Sequence, residues 1–97
     1  VRLRTATETR WSEFSARVGN RMRTDVFDID VIGWSGGSHG RVAMRVRGPI
    51  ERIVAATALD AERRRVDTGT DLRHNEEDAT LTIRVRRWPR FIRLHYA

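Results

Sequence analysis

Apolar and polar residues alternate most clearly between Phe27 and Arg47. Phe27, Ile29 and Val31 alternate with Asp28 and Asp30, and Val42, Met44 and Val46 alternate with Arg41, Ala43, Arg45 and Arg47. Two period-2 runs around Ser35-Gly36-Gly37-Ser38-His39-Gly40 predict a β-hairpin. Both apolar sets must share one face, which leaves two registers: Asp28 opposite Arg45, or Asp28 opposite Arg47 with Asp30 opposite Arg45. A one-residue slip would bury the charges and is excluded. Ala79–Arg87 repeats the pattern, with Leu81, Ile83 and Val85 on one face and Thr80, Thr82, Arg84 and Arg86 on the other. Beyond the interruption at Trp88-Pro89, Ile92, Leu94 and Tyr96 alternate with Phe91, Arg93 and His95 as a final extension.

Two other segments carry a helical spacing. Thr5 and Glu8 have the capping-box separation, followed by Trp11, Phe14 and Val18 at i, i+3 and i+7, with Gly19-Asn20 as a stop. Pro49 at a first helical position with Glu51 behind it introduces a second stripe, Ile50, Ile53, Val54, Thr57 and Ala61, from which only Leu59 departs. Val1–Thr5 alternates as a short strand. Residues 63–78 read as a charge run, a turn at Thr68-Gly69-Thr70-Asp71 and an acidic loop at Asn75-Glu76-Glu77-Asp78, with a weak strand signal near Val66.

The resulting order, β-α-β-β-α-β with a short C-terminal extension, predicts an α+β fold, a ferredoxin-like (split β-α-β) two-layer sandwich with one antiparallel sheet and two helices. The alternative is an α-first arrangement whose sheet starts at Val26. In the sandwich the first and third strands are central neighbours, the last lies beside the first and the second beside the third. Leu3, Phe27, Ile29, Val31, Val42, Met44, Val46, Leu81, Ile83 and Val85 then form the helix-covered face.

At 97 residues the chain allows a single domain over residues 1–97. No apolar run approaches the ~20 residues of a membrane span, so no membrane insertion is expected and a cytoplasmic setting is taken. With no cysteine there is no disulfide framework, thiol nucleophile or Cys-based metal site. The formal charge is +6, and all 19 basic residues are arginine. A GC-rich codon bias produces that composition as readily as selection for bidentate guanidinium contacts, so position must decide. Alternation puts Arg2, Arg4, Arg41, Arg45, Arg47, Arg84 and Arg86 on the uncovered sheet face. These residues, with Trp88 as an aromatic anchor or as a flap over the core, are the expected partner- or phosphate-binding set.

No catalytic constellation emerges. Ser35-Gly36-Gly37-Ser38-His39-Gly40 lacks the lysine and following helix of a phosphate loop, His39, His74 and His95 are scattered, and no nucleophile-elbow motif is present. Asp28 and Asp30 are too few ligands for a hard cation and face arginines. The chain is therefore expected to be no enzyme, to hold no cofactor or metal, and to act as a binding domain in protein assembly or regulation, as one module of a larger chain or complex, with a protein partner or self-association. The alternative is a nucleic-acid-binding domain that sets the arginine face against the phosphate backbone; that binding is expected to be weak, because stacking aromatics are missing from the central strands.

Overall fold

The computed structural model describes residues 9–35 and 40–97. Its eight strands are β1 (Arg10–Ser15), β2 (Arg21–Arg23), β3 (Asp28–Ser35), β4 (Arg41–Arg47), β5 (Ile53–Leu59), β6 (Asp67–Asn75), β7 (Thr80–Val85) and β8 (Phe91–Tyr96). They form two antiparallel sheets, one in the order β1-β8-β5 and the other β2-β3-β4-β7-β6. The only helical turn among the described residues is the 3-10 turn Ile50–Arg52. The α+β, ferredoxin-like expectation is overturned: the second layer over the core is another sheet.

Both expected helices are strands. Trp11, Phe14 and Val18 do not share a face, because β1 alternates: Ser12 and Phe14 lie opposite Leu94 and Ile92, while Trp11 and Glu13 lie opposite His95 and Arg93 on the outer side. Pro49 starts only the 3-10 turn, after which Ala56 and Ala58 face the core opposite Leu94 and Ile92. The sheet order also differs. β7 pairs directly with β4, so no strand separates these neighbours as the split β-α-β order requires. The stretch 63–78, expected to be mostly loop, contains β6, and Val66 is buried just before it. Thr5, Glu8, Leu3 and the strand expected at Val1–Thr5 lie outside the described residues, as does most of the 35–40 hairpin tip.

The hairpin adopts the second of the two allowed registers, with Asp28 opposite Arg47, Ile29 opposite Val46 and Asp30 opposite Arg45. The pairing is interrupted by a bulge between Val31 and Gly33, beyond which Gly33 lies opposite Ala43 and Trp34 opposite Val42. Ile32, the extra residue, is exposed.

One core fills the space between the sheets. Ile29, Met44, Leu81 and Ile83 from the larger sheet meet Phe14, Ile92 and Leu94 from the smaller, all nearly inaccessible to water. Burying each such side chain stabilises by about 1.5–3 kcal/mol. Phe27 and Tyr96 meet edge to face across the layers, with ring centroids 5.3 Å apart. Asp60 accepts hydrogen bonds from the Glu62 and Arg64 N–H groups, both 2.9 Å, and so turns the chain after β5. Val66 then joins the sheets: its N–H donates to the Ala58 carbonyl, and its own carbonyl accepts from Arg86 N–H.

Candidate binding face

Alternation along each strand sends one set of side chains to the core and the other outward. On the five-stranded sheet the outward set forms rows running across the strands. The first row is Arg23, Asp28 and Arg47, and the second is Arg21, Asp30, Arg45, Thr80 and Asn75. A third row holds Gly33, Ala43, Thr82 and Arg73, and a fourth sets Arg41 directly opposite Arg84.

The first two rows are an ion-pair ladder. Arg21 Nε donates to Asp30 at 2.8 Å, Arg47 lies 3.4 Å from Asp30 and 3.9 Å from Asp28, and Arg23 lies 3.9 Å from Asp28. Each arginine is more exposed than its aspartate, so these pairs set register and spread charge more than they stabilise. Arg45 makes no ion pair among the described residues.

Three of the four residues in the third row are small. Gly33, Ala43 and Thr82 project little, so the face dips between Arg41 and Arg84 on one side and Arg45 on the other. Next to this dip lies an open depression of about 720 Å³ with Ala43, Thr80 and Thr82 as its floor and Arg73, Asn75, Glu76 and Asp78 around it. At ~3.3 Å per residue along a strand, Arg41 and Arg45 are about 13 Å apart at their Cα atoms, enough for one extended chain to lie between their side chains.

Of the expected binding set, Arg41, Arg45, Arg47 and Arg84 share this face. Arg86 falls past the end of β7, beside Arg65 and Arg87, and its N–H bonds Val66. Trp88 stands elsewhere, stacked on Trp34 with ring centroids 5.7 Å apart. Arg2 and Arg4 lie outside the described residues. Arg21, Arg23 and Arg73 belong to the face but were not expected there. Arg21 and Arg23 flank a single apolar residue, Met22, too short a run to register as a strand, and Arg73 lies in the stretch read as loop.

The three-stranded sheet carries a different outer surface. Glu13 binds Arg93 at 2.9 Å and Arg63 at 3.0 Å, while Arg93 lies over the Trp11 ring and Arg63 over Phe91. Carboxylate, guanidinium and aromatic groups satisfy one another there, with cation–π contacts of 4.6 and 3.8 Å. Burial, and then the charge of Arg93, pushes His95 on this surface below the ordinary histidine value. Among the described residues no group of three or more His, Asp or Glu is placed to hold a metal ion. No helix among them is long and apolar enough to cross a membrane.

The fold and face together define an antiparallel β-sandwich with a basic, furrowed sheet surface. Comparison with protein-family models, curated proteins and solved structures finds no match to this chain.

Proposed function

We propose that the chain is a non-catalytic binding module for protein assembly or regulation, one part of a larger chain or complex, and that it docks an acidic protein segment on the outer face of the five-stranded sheet. The observation that carries this is the row of small side chains, Gly33, Ala43 and Thr82, between Arg45 and the Arg41–Arg84 pair. A furrow adds shape to charge, and shape selects an extended polypeptide over a diffuse counterion cloud. Asp28 and Asp30 already engage Arg21, Arg23 and Arg47, which leaves less of the face for a phosphate backbone than the arginine count suggests. A cysteine-free chain needs no oxidising compartment, and the cytoplasm is the setting we propose.

The test uses a labelled glutamate-rich peptide and a DNA duplex, followed by fluorescence anisotropy at physiological salt. The peptide is expected to bind more tightly than the duplex. Arg45→Ala should weaken it about fivefold, the upper range of an exposed ion pair. Thr82→Phe, which fills the furrow and keeps every charge, should weaken it at least as much. Peptide binding indifferent to Thr82→Phe, or duplex binding tighter than peptide binding, overturns the proposal.

A further inference from the structure

Trp34 lies one residue before the end of β3 and Trp88 follows β7, yet the fold brings them into contact at one end of the sandwich. Their rings are tilted by 32°, and the indole of Trp34 occupies the space that a side chain on the buried Gly40 would need. The loop carrying Trp88 is held from both sides: Ala16 N–H donates to the Arg90 carbonyl at 2.9 Å, and Arg90 N–H donates to the Leu59 carbonyl at 2.7 Å. Pro89 is buried beneath it. Despite this anchoring, Trp34 and Trp88 remain 44% and 38% exposed.

Next to Trp88 lies a groove of about 410 Å³ lined by Ser15, Arg17, Trp88, Pro89 and Arg90. Arg17 and Arg90 are exposed, neither makes an ion pair among the described residues, and no carboxylate lines the groove. We propose that this end of the molecule binds single-stranded nucleic acid without sequence preference. An unpaired base stacks on the exposed indole surface, and the adjoining phosphates lie in the groove against Arg17 and Arg90. The ligand is chosen by what it must satisfy. An acidic peptide engages the guanidinium groups but leaves the indoles wet, and an apolar peptide does the reverse. A duplex keeps its base faces stacked inside. A single strand offers flat aromatic surface and regularly spaced negative charge together, at every nucleotide. The site is separate from the furrow on the sheet face, and neither proposal depends on the other.

The experiment titrates the chain with a labelled oligothymidylate of about 12 nucleotides at physiological salt. Anisotropy reports binding and intrinsic tryptophan fluorescence reports stacking. Three further probes run beside it: an abasic strand of equal length, the matching duplex and the glutamate-rich peptide. The oligothymidylate is expected to bind and quench the tryptophans, and the abasic strand to bind at least tenfold more weakly without quenching. Trp88→Ala should weaken binding about ten- to hundredfold, Trp88→Phe much less, and Arg17→Ala with Arg90→Ala should reduce its salt dependence. Thr82→Phe should leave it unchanged. The abasic comparison needs no variant, so it decides the matter even if Trp88→Ala fails to fold. Equal binding of the abasic strand or the duplex, equal quenching by the peptide, or no binding of the oligothymidylate overturns the proposal.

Discussion

Arg65 and Asp67 form an ion pair whose acid is buried and whose base is exposed, and the asymmetry predicts unequal mutational costs. Arg65 Nε and Nη2 donate to the two Asp67 oxygens at 3.0 and 2.9 Å, a bidentate fork. The Asp67 side chain is 1% exposed, whereas that of Arg65 is 58% exposed. Removing the guanidinium by Arg65→Ala strands a buried carboxylate, which costs about 2–4 kcal/mol after discounting a fully buried pair for the exposure of Arg65. Asp67→Asn keeps the shape and leaves Arg65 to water, at about 1 kcal/mol. Arg65→Lys keeps the charge without the fork and should fall between them. Because the damage in Arg65→Ala is the uncompensated charge, the double variant Arg65→Ala/Asp67→Asn should be more stable than Arg65→Ala alone. Urea unfolding at neutral pH, read by circular dichroism with linear extrapolation, measures all four. If Asp67→Asn costs more than Arg65→Ala, or the double variant is the least stable, burial does not govern this pair and the reasoning fails.

Three further outcomes follow from other parts of the structure. Gly48 has φ +141°, and a Cβ there would lie 2.8 Å from both the Val26 carbonyl oxygen and the Phe27 ring, so Gly48→Ala should lower stability by about 1–3 kcal/mol; an unchanged thermal midpoint would falsify this. His95 titrates below its ordinary value in the folded chain, so the unfolded chain takes up the proton first as pH falls. Its contribution is complete above about pH 6.5 and declines as pH drops towards the folded value. Stability measured from pH 7.5 to 5 should therefore fall less steeply in His95→Gln than in the parent, and equal slopes would remove His95 from the account. Ala58 is wholly buried between the sheets, so Ala58→Leu should cost about 1–3 kcal/mol by overpacking despite its added apolar surface; a gain in urea midpoint would show that room exists there.

The parts of the fold legible in sequence are those where large apolar residues alternate with charges. Phe27 to Val31, Val42 to Val46 and Leu81 to Val85 all reach the core as their alternation requires, and the register was narrowed to two by the need to keep Asp28 and Asp30 out of it. The legibility fails where small residues do the inward packing. In β1 and the residue after it the inward positions are Ser12, Phe14 and Ala16, so a single large residue marks the inner face, and the outward Trp11 imitates a helical stripe. In β5 they are Ala56 and Ala58, and alanine favours helix locally while its small size lets the facing sheet approach. Tertiary packing overrides both local preferences. The candidate face followed the same division: Arg41, Arg45, Arg47 and Arg84 were readable from strong strands, while Arg21, Arg23 and Arg73 lay on strands with little apolar signal. The contact of Trp34 with Trp88 had no sequence signal, since it joins residues far apart in the chain, one near the end of β3 and the other in the connection after β7.

The bulge in β3 works as a change of phase. Counting evenly from the buried Val31, Gly33 would point inward and Trp34 would stand among the arginines of the sheet face. The extra residue Ile32 reverses that parity, so Gly33 takes the outward position opposite Ala43 and Trp34 swings round to the side of Val42. Leaving Ile32 out of the ladder thus does two things at once: it keeps bulk out of the furrow and sets an indole at the end of the sandwich beside Trp88. Were Ile32 paired in the ladder instead of bulged, the chain would carry the same charges and aromatics, but Gly33 would face the core and the tryptophan would stand on the arginine face. The division of this small protein into a basic face and an aromatic end therefore hangs on one residue of β3 standing outside the pairing.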